Sequence, residues 1–379
     1  MSQEPKSTGR RDLLKYAAAV VGTGIVVGAG TYLLAPSKKE TVTSTVTSTV
    51  GTGGVVTTTV TSTIGGTTIK PEKEYTFWMA DHGNVGSSFW APAYKGAEDA
   101  ITILSQSGLA KITLKHTFTN EDYAKQADDL KTAVASKPDG ILFTVPSDPM
   151  LFDATVREGV KKGIPFIALN CNDSRPADQM MPYLFYVGEN AYEVGPALGR
   201  DLSRWIKEHN SFTPKNALLC NPVAGHFIWE TRLRLFGDYC QKTFGTNVVT
   251  QITGVDLTKY PDIIRALFTQ YPNTDLLVGS GGSLDAMWPV FAELGRKPGE
   301  DLLVVGIDPT PGVMDLIKAG KITCCFDQQQ YLQGFIPVIM MYEYLRHAFS
   351  IYGTVSTGPF IINETNVDRV IQSGKEGFR

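Results

Sequence analysis

The densest group of residues with useful chemistry lies between positions 81 and 90: Asp81, His82, Asn84, Ser87, Ser88, Phe89 and Trp90. Short polar side chains are followed here by flat apolar rings. That mixture suits a small, hydroxyl-rich ligand, whose hydroxyls would meet the polar groups and whose C–H faces would lie on the rings. Phe89 and Trp90 also fit packing at a helix start, but the polar loop before them favours stacking. His82 and His226 fall in loops, and the sequence offers no third metal ligand at suitable spacing. They read as loop polar groups, with no metal expected. GxxxxGK[ST], HExxH and GxSxG are absent. Gly279-Ser280-Gly281-Gly282 lacks the full GxGxxG spacing and the acidic residue about 20 positions on that a dinucleotide site needs. No cofactor and no catalytic residue is expected.

The elements that must hold such a site follow from periodicity. Tyr75 to Ala80 reads as a strand. Ile112 to Phe118, Gly140 to Val145 and Phe166 to Leu169 follow, separated by helices over Asp122 to Ser136 and Pro149 to Lys162. From Tyr183 the alternation restarts and runs to a long helix, Tyr331 to Phe349, with a last strand at Phe360 to Ile362. Such alternation predicts parallel sheets covered by helices on both faces. Two successive units predict two doubly wound, Rossmann-like lobes with a hinge and a cleft between them. The expected boundaries are 74–188 plus 329–357 for lobe 1 and 189–328 plus 358–379 for lobe 2. Ligands of open α/β sheets sit beyond the carboxyl ends of the strands. That rule singles out Asp81, Asn170, Ser280, Asp308 and Gln328. On their own, Asp308 reads as a helix cap and Arg234 as a surface residue paired with Asp238 at i+4. Trp229 and Trp288 fit either the cleft or the packing beneath it.

A chain of 379 residues exceeds one ordinary core. Hydrophobic content of 42% and charged content of 19% are globular values. Residues 1–40 hold six Lys/Arg against three Asp/Glu, leaving 29 against 35 in the remainder. An acidic body excludes sequence-independent nucleic-acid binding. The five cysteines lack metal spacing and read as core residues, with a Cys220–Cys240 disulfide as a minor alternative. Arg10-Arg11 before an apolar run from Tyr16 to Leu34 reads as an export signal of twin-arginine type over 1–36. It is long enough to remain as a membrane anchor. Residues 37–73, rich in Thr, Ser, Val and Gly, read as an extended stalk, with an edge-strand repeat as the rival reading.

Several spaced motifs resemble the type I periplasmic binding proteins, in their ribose-binding-like sugar branch. They are Ser88-Phe89-Trp90 with Gly96, Lys137-Pro138-Asp139-Gly140-Ile141, Gly163-Ile164-Pro165-Phe166-Ile167, Arg234 before Gly237, Val304 to Asp308, and Lys321-Ile322-Thr323 through Gln328. The resemblance runs from Tyr75 to about Ile362. It implies two lobes joined by three crossings that close on a monosaccharide-like ligand. It implies stacking by Phe89 and Trp90, and hydrogen bonds from Arg234, Asp308 and Gln328. Asp81, Asn84, Ser88, Asn170 and Ser280 complete the expected ligand set. The implied role is an extracytoplasmic, monomeric receptor that delivers its ligand to the permease and ATPase of an ABC importer. A sensory module and an exported nucleotide-dependent oxidoreductase are the alternatives. Two departures stand against ribose itself. Asn170-Cys171 replaces the branch's Asp-Arg, and Ser280-Gly281 replaces its Asn-Asp.

Overall fold

A computed structural model describes residues 40–50, 54–64, 73–84, 87 and 89–379. The chain divides into two units, Met1–Ile69 and Lys70–Arg379. In the first, β1 (Glu40–Val50) and β2 (Gly54–Ile64) pair antiparallel, from Glu40 opposite Ile64 to Val50 opposite Gly54. This hairpin replaces the unpaired extended chain expected there. β-branched Thr and Val fit a pleated ladder without aromatic neighbours. The arginine pair and the apolar run at 16–34 lie outside the described residues. Among the described residues no helix is long and apolar enough to cross a membrane.

The second unit contains two six-stranded sheets of matching order. Lobe 1 comprises β3 (Glu74–Ala80), α1 (Ala91–Gln106), β4 (Lys111–Thr117), α2 (Tyr123–Ala135), β5 (Gly140–Phe143), α3 (Met150–Lys161), β6 (Phe166–Leu169) and β7 (Tyr186–Glu189). Lobe 2 comprises α4 (Ala191–Glu208), β8 (Asn216–Asn221), α5 (Phe227–Phe244), β9 (Asn247–Ile252), α6 (Tyr260–Gln270), β10 (Leu276–Ser280), α7 (Gly281–Glu293), β11 (Leu303–Ile307), α8 (Pro311–Lys318) and β12 (Cys324–Asp327). The chain then returns to lobe 1 through α9 (Gln330–His347) and β13 (Thr354–Gly358), and ends in lobe 2 with β14 (Phe360–Ile362) and α10 (Val367–Lys375). The strand orders are β13-β7-β6-β5-β3-β4 and β14-β12-β11-β10-β8-β9. Every pairing is parallel except that of β12 with β14. The chain passes between the sheets after β7, after β12 and after β13.

Sequence pattern explains the layering. In β3, Phe77 and Met79 pack with α1 and α9, while Trp78 and Ala80 pack on the opposite face with α2. Both faces are covered, so the strand is a continuous apolar run. The five cysteines are buried and unbridged, including Cys220 and Cys240. Helices α1 and α9 meet backbone to backbone. A Cβ at Gly334 would lie 1.8 Å from the Ala93 carbonyl oxygen, and one at Gly96 would lie 2.1 Å from that of Tyr331. Because the obstacle is backbone, relief requires moving a helix. Gly334→Ala is expected to cost at least about 1–3 kcal/mol, read as a lowered midpoint in urea unfolding of the ligand-free protein. An unchanged midpoint would mean that the two helices do not cross this closely.

Candidate functional site

The carboxyl ends of the two sheets enclose a cavity of about 210 Å³. That is smaller than the roughly 300–1,000 Å³ typical of drug-sized sites. Equivalent strands contribute equivalent residues. Asn170 follows β6 and Asp308 follows β11, the strands that hold the same place in the two sheet orders. Both have left-handed backbones, with φ of 60° and 64°. Asn and Asp tolerate that conformation better than other non-glycine residues. The turn lets each strand end abruptly with its side chain at the cavity. A Cβ at Gly281 would lie 1.9 Å from the Asp308 carbonyl oxygen, so the glycine run after β10 serves close packing beneath Asp308.

A hydrogen-bond relay joins these two positions across the crossings. Asn170 Nδ2 donates to Gln328 Oε1 at 2.9 Å and to Gln333 Oε1 at 3.0 Å. Gln328 Nε2 donates to Asp308 Oδ1 at 2.7 Å. Gln333 Nε2 donates in turn to the Gln328 carbonyl and to Thr357 Oγ1, both at 3.0 Å. Gln328 is therefore oriented before any ligand arrives, with one Nε2 hydrogen still to give. Desolvation in the cleft pushes Asp308 up to about 6, against the lowering effects of the Arg232 charge and the Gln328 hydrogen bond. Ser280 also lines the cavity, its hydroxyl 2.9 Å from Ser283 Oγ.

The arginine in the cavity is Arg232, which corrects the assignment to Arg234. Arg232 binds Glu189 through both carboxylate oxygens, with Nε 2.8 Å from Oε1. Its guanidinium lies 5.1 Å from the ring centroids of both Trp229 and Phe326. Burial works against its charge, but the neighbouring carboxylates of Glu189 and Asp308 outweigh this and raise its pKa. Arg234 is 58% exposed and stands 3.6 Å from Asp238, beside a separate hollow over α5 and β9. Two residues along a helix rotate a side chain by roughly 200°, so only one of the two arginines can face the cleft. Trp229 lines the cavity, and Trp288 packs in the lobe 2 core.

The loop after β3 divides its work. Asp81 is fully buried and accepts hydrogen bonds from Gly83 N (2.8 Å) and Tyr94 Oη (3.2 Å), with His116 Nε2 at 2.7 Å. It holds the loop in place and does not line the cavity, which corrects its assignment as a ligand contact. Asn84 is half-buried and likewise outside the cavity lining. Ser88 lies outside the described residues. Phe89 and Trp90 both line the cavity. Trp90 is 2% exposed, edge-on to His82 at 5.0 Å and stacked on Tyr94 at 5.9 Å. It forms a fixed wall, while half-buried Phe89 offers the freer ring.

Sequence reasoning passed over His82, Cys171 and His226 as a group. All three line the cavity. Burial lowers His82 to about 3 and His226 to about 4, so both rings are neutral at pH 7, and it pushes the Cys171 thiol up. The only signal in the sequence was their placement after strands or before a helix. Of Asp173 and Arg175, the nearest substitutes for the missing charged pair, Arg175 donates both to Asp173 and to Asp153 on α3.

Two doubly wound lobes, with a polar and aromatic cavity between the carboxyl ends of their sheets, define a two-lobed solute-binding protein. The chain belongs to the periplasmic binding protein domain family, which it matches over residues 83–348. Membership places it outside the cytoplasm. It is 24% identical over 292 residues to the xylose/arabinose-binding protein XylF of Sulfolobus acidocaldarius, covering 74% of this chain and 69% of that one. Among solved structures it is similar to a carbohydrate transporter from Acidothermus cellulolyticus in complex with myo-inositol. That match has 26% identity and a TM-score of 0.68, over 81% of this chain and 100% of the other. A periplasmic ribose ABC transporter protein from Conexibacter woesei shares the fold at 19% identity, with a TM-score of 0.65 over 83% and 99% of the two chains.

Proposed function

We propose that the protein is a receptor that binds a monosaccharide-like ligand between its lobes and delivers it to an ABC importer. The observation that carries this reading is the Asn170–Gln328–Asp308 relay, with Arg232 beside it, in a cavity of about 210 Å³. Amides and a carboxylate recognise hydroxyls, Phe89, Trp90 and Trp229 cover C–H faces, and the volume excludes a long oligosaccharide. The pentose and cyclitol binders among its relatives support the same ligand class. Ligand contact is assigned to Phe89, Trp90, Asn170, Arg232, Ser280, Asp308 and Gln328. The crossings after β7, β12 and β13 act as the hinge. Export by the Arg10-Arg11 signal, retention by the apolar run at 16–34 and a monomeric state complete the proposal. Arg10→Lys with Arg11→Lys would leave the protein in the cytoplasm.

The test is a thermal-shift screen of the full-length chain against pentoses, hexoses, cyclitols, linear polyols and nucleosides. A ligand at about 100 times its Kd adds roughly 2.7 kcal/mol of stability. A shift with a sugar or cyclitol that disappears in Asp308→Ala is the expected result. No shift with any polyhydroxylated compound would overturn the ligand class and leave the fold intact.

A further inference from the structure

Three side chains with metal-ligating atoms meet in the cavity wall, and the receptor reading uses none of them. They are His82, Cys171 and His226, all buried, with one ligating atom of each within 4.8 Å of the other two. His82 lies in the loop after β3, Cys171 in the turn after β6, and His226 immediately before α5. The first two belong to lobe 1 and the third to lobe 2. We propose that these residues bind a zinc ion that bridges the lobes, with its fourth coordination position open to the cavity.

Two imidazole nitrogens and a sulfur form a zinc set, whereas magnesium and calcium require oxygen ligands. Tetrahedral zinc, with nitrogen at about 2.0–2.1 Å and sulfur at about 2.3 Å, holds neighbouring donors roughly 3.5 Å apart. Cys171 Sγ and His226 Nε2 are 3.9 Å apart and all three ligating atoms lie within 4.8 Å of one another, so pairs must close by up to about 1.3 Å to reach the tetrahedral spacing. His82 Nδ1 lies 2.8 Å from Thr144 Oγ1, which accepts from Gln126 Nε2 at 2.8 Å. That support fixes the ring through one nitrogen and leaves Nε2 for the ion, the arrangement by which outer partners orient metal-binding histidines. On binding, the Cys171 thiol releases its proton to water and the thiolate ligates, driven by the charge of the cation. No electron transfer is involved. A water or a hydroxyl of the cleft ligand takes the fourth position, and an ion held by both lobes favours the closed form.

The inference is independent of the cleft ligand, so it is tested without sugar. The full-length chain is stripped with chelator, kept reduced with a phosphine, and titrated with zinc and separately with magnesium by calorimetry. One zinc per chain, with no comparable binding of magnesium, is expected. Cobalt(II) in place of zinc should give a thiolate-to-metal charge-transfer band. Outer-shell partners alone are worth about 10–100-fold in affinity. Cys171→Ser should therefore weaken zinc by more than about 100-fold and abolish the band. Cys220→Ser, in the lobe 2 core, should change neither. His226→Gln, on a separate element, carries the same expectation as Cys171→Ser, and circular dichroism melts establish that each variant folds. Absence of saturable zinc binding, or a cobalt band that survives in Cys171→Ser, overturns the proposal. The sugar screen is repeated in chelator, where the receptor reading stands or falls separately.

Discussion

Arg232→Ala is expected to weaken ligand binding at least about tenfold to 100-fold, as loss of a charged hydrogen bond would. It should also lower the stability of the free protein by about 3–5 kcal/mol, the usual cost of breaking one side of a buried ion pair. The second effect arises from Glu189. Its side chain is fully buried at the end of β7, and without the guanidinium its carboxylate has no cationic partner among the contacts described for it. Glu189 stands where the chain leaves lobe 1, and Arg232 stands on the first helix after β8 in lobe 2, so the same pair ties the crossing to the cavity. Arg234→Ala, two positions on, should change both quantities by no more than about 0.5 kcal/mol, because its pair with Asp238 is exposed. Titration calorimetry measures the first quantity and urea unfolding the second. The double variant Glu189→Gln, Arg232→Met should recover part of the lost stability, since replacing both partners leaves no orphan charge. Loss of binding in Arg234→Ala, with binding kept in Arg232→Ala, would reverse the assignment.

The arginine also shows what the sequence holds and what it hides. On α5, Ile228, Arg232 and Phe236 recur every four residues, as do Glu230, Arg234 and Asp238. The first stripe is apolar apart from the arginine and is buried; the second is charged and faces solvent. Helical periodicity puts Arg232 on the buried stripe, whereas the sequence reading weighed only Arg234, as a surface pair by spacing and as a ligand contact by the family motif. Strand ends were easier. Asn170, Ser280, Asp308 and Gln328 stand at or just after the ends of apolar strands, where a parallel sheet presents its ligand edge, although Asp81 at the end of β3 is drawn into the loop instead. β13 was passed over because Thr354–Gly358 is short and polar and becomes a strand only by pairing with β7. The meeting of His82, Cys171 and His226 was not legible, because it joins residues from three loops through tertiary contacts that no local period encodes.

Ligand affinity should fall by up to about tenfold between pH 7.5 and pH 5, because Asp308 accepts hydroxyl hydrogens more strongly as a carboxylate than as an acid. Its pKa is raised to about 6, mainly by desolvation, so at pH 5 about nine in ten ligand-free molecules carry the proton and must lose it to make the charged hydrogen bonds. His82 and His226, lowered to about 3 and about 4, stay neutral in the folded protein across this range and add no slope to binding. In the unfolded chain they take up protons below their ordinary 6.5, and so they oppose folding as pH falls. The Asp308 contribution to the stability of the free protein has the opposite sign. A carboxyl whose folded pKa lies above its unfolded value of 3.8 makes the native state bind the proton more tightly than the unfolded chain. Its contribution therefore favours folding at low pH and is lost as pH rises from about 4 to about 6, by up to about 3 kcal/mol. Asp308→Asn should remove that contribution, raise stability at pH 7 and bind ligand weakly with little pH dependence. Titration calorimetry at pH 5 and pH 7.5, with chelator present to exclude metal effects, measures the affinity, and urea unfolding across the same range measures the stability. An affinity that is flat in the wild type, or a slope that persists in Asp308→Asn, would assign the titration to another group. Both Asp308 effects have one cause, the cost of desolvating a single carboxylate at the meeting point of the lobes.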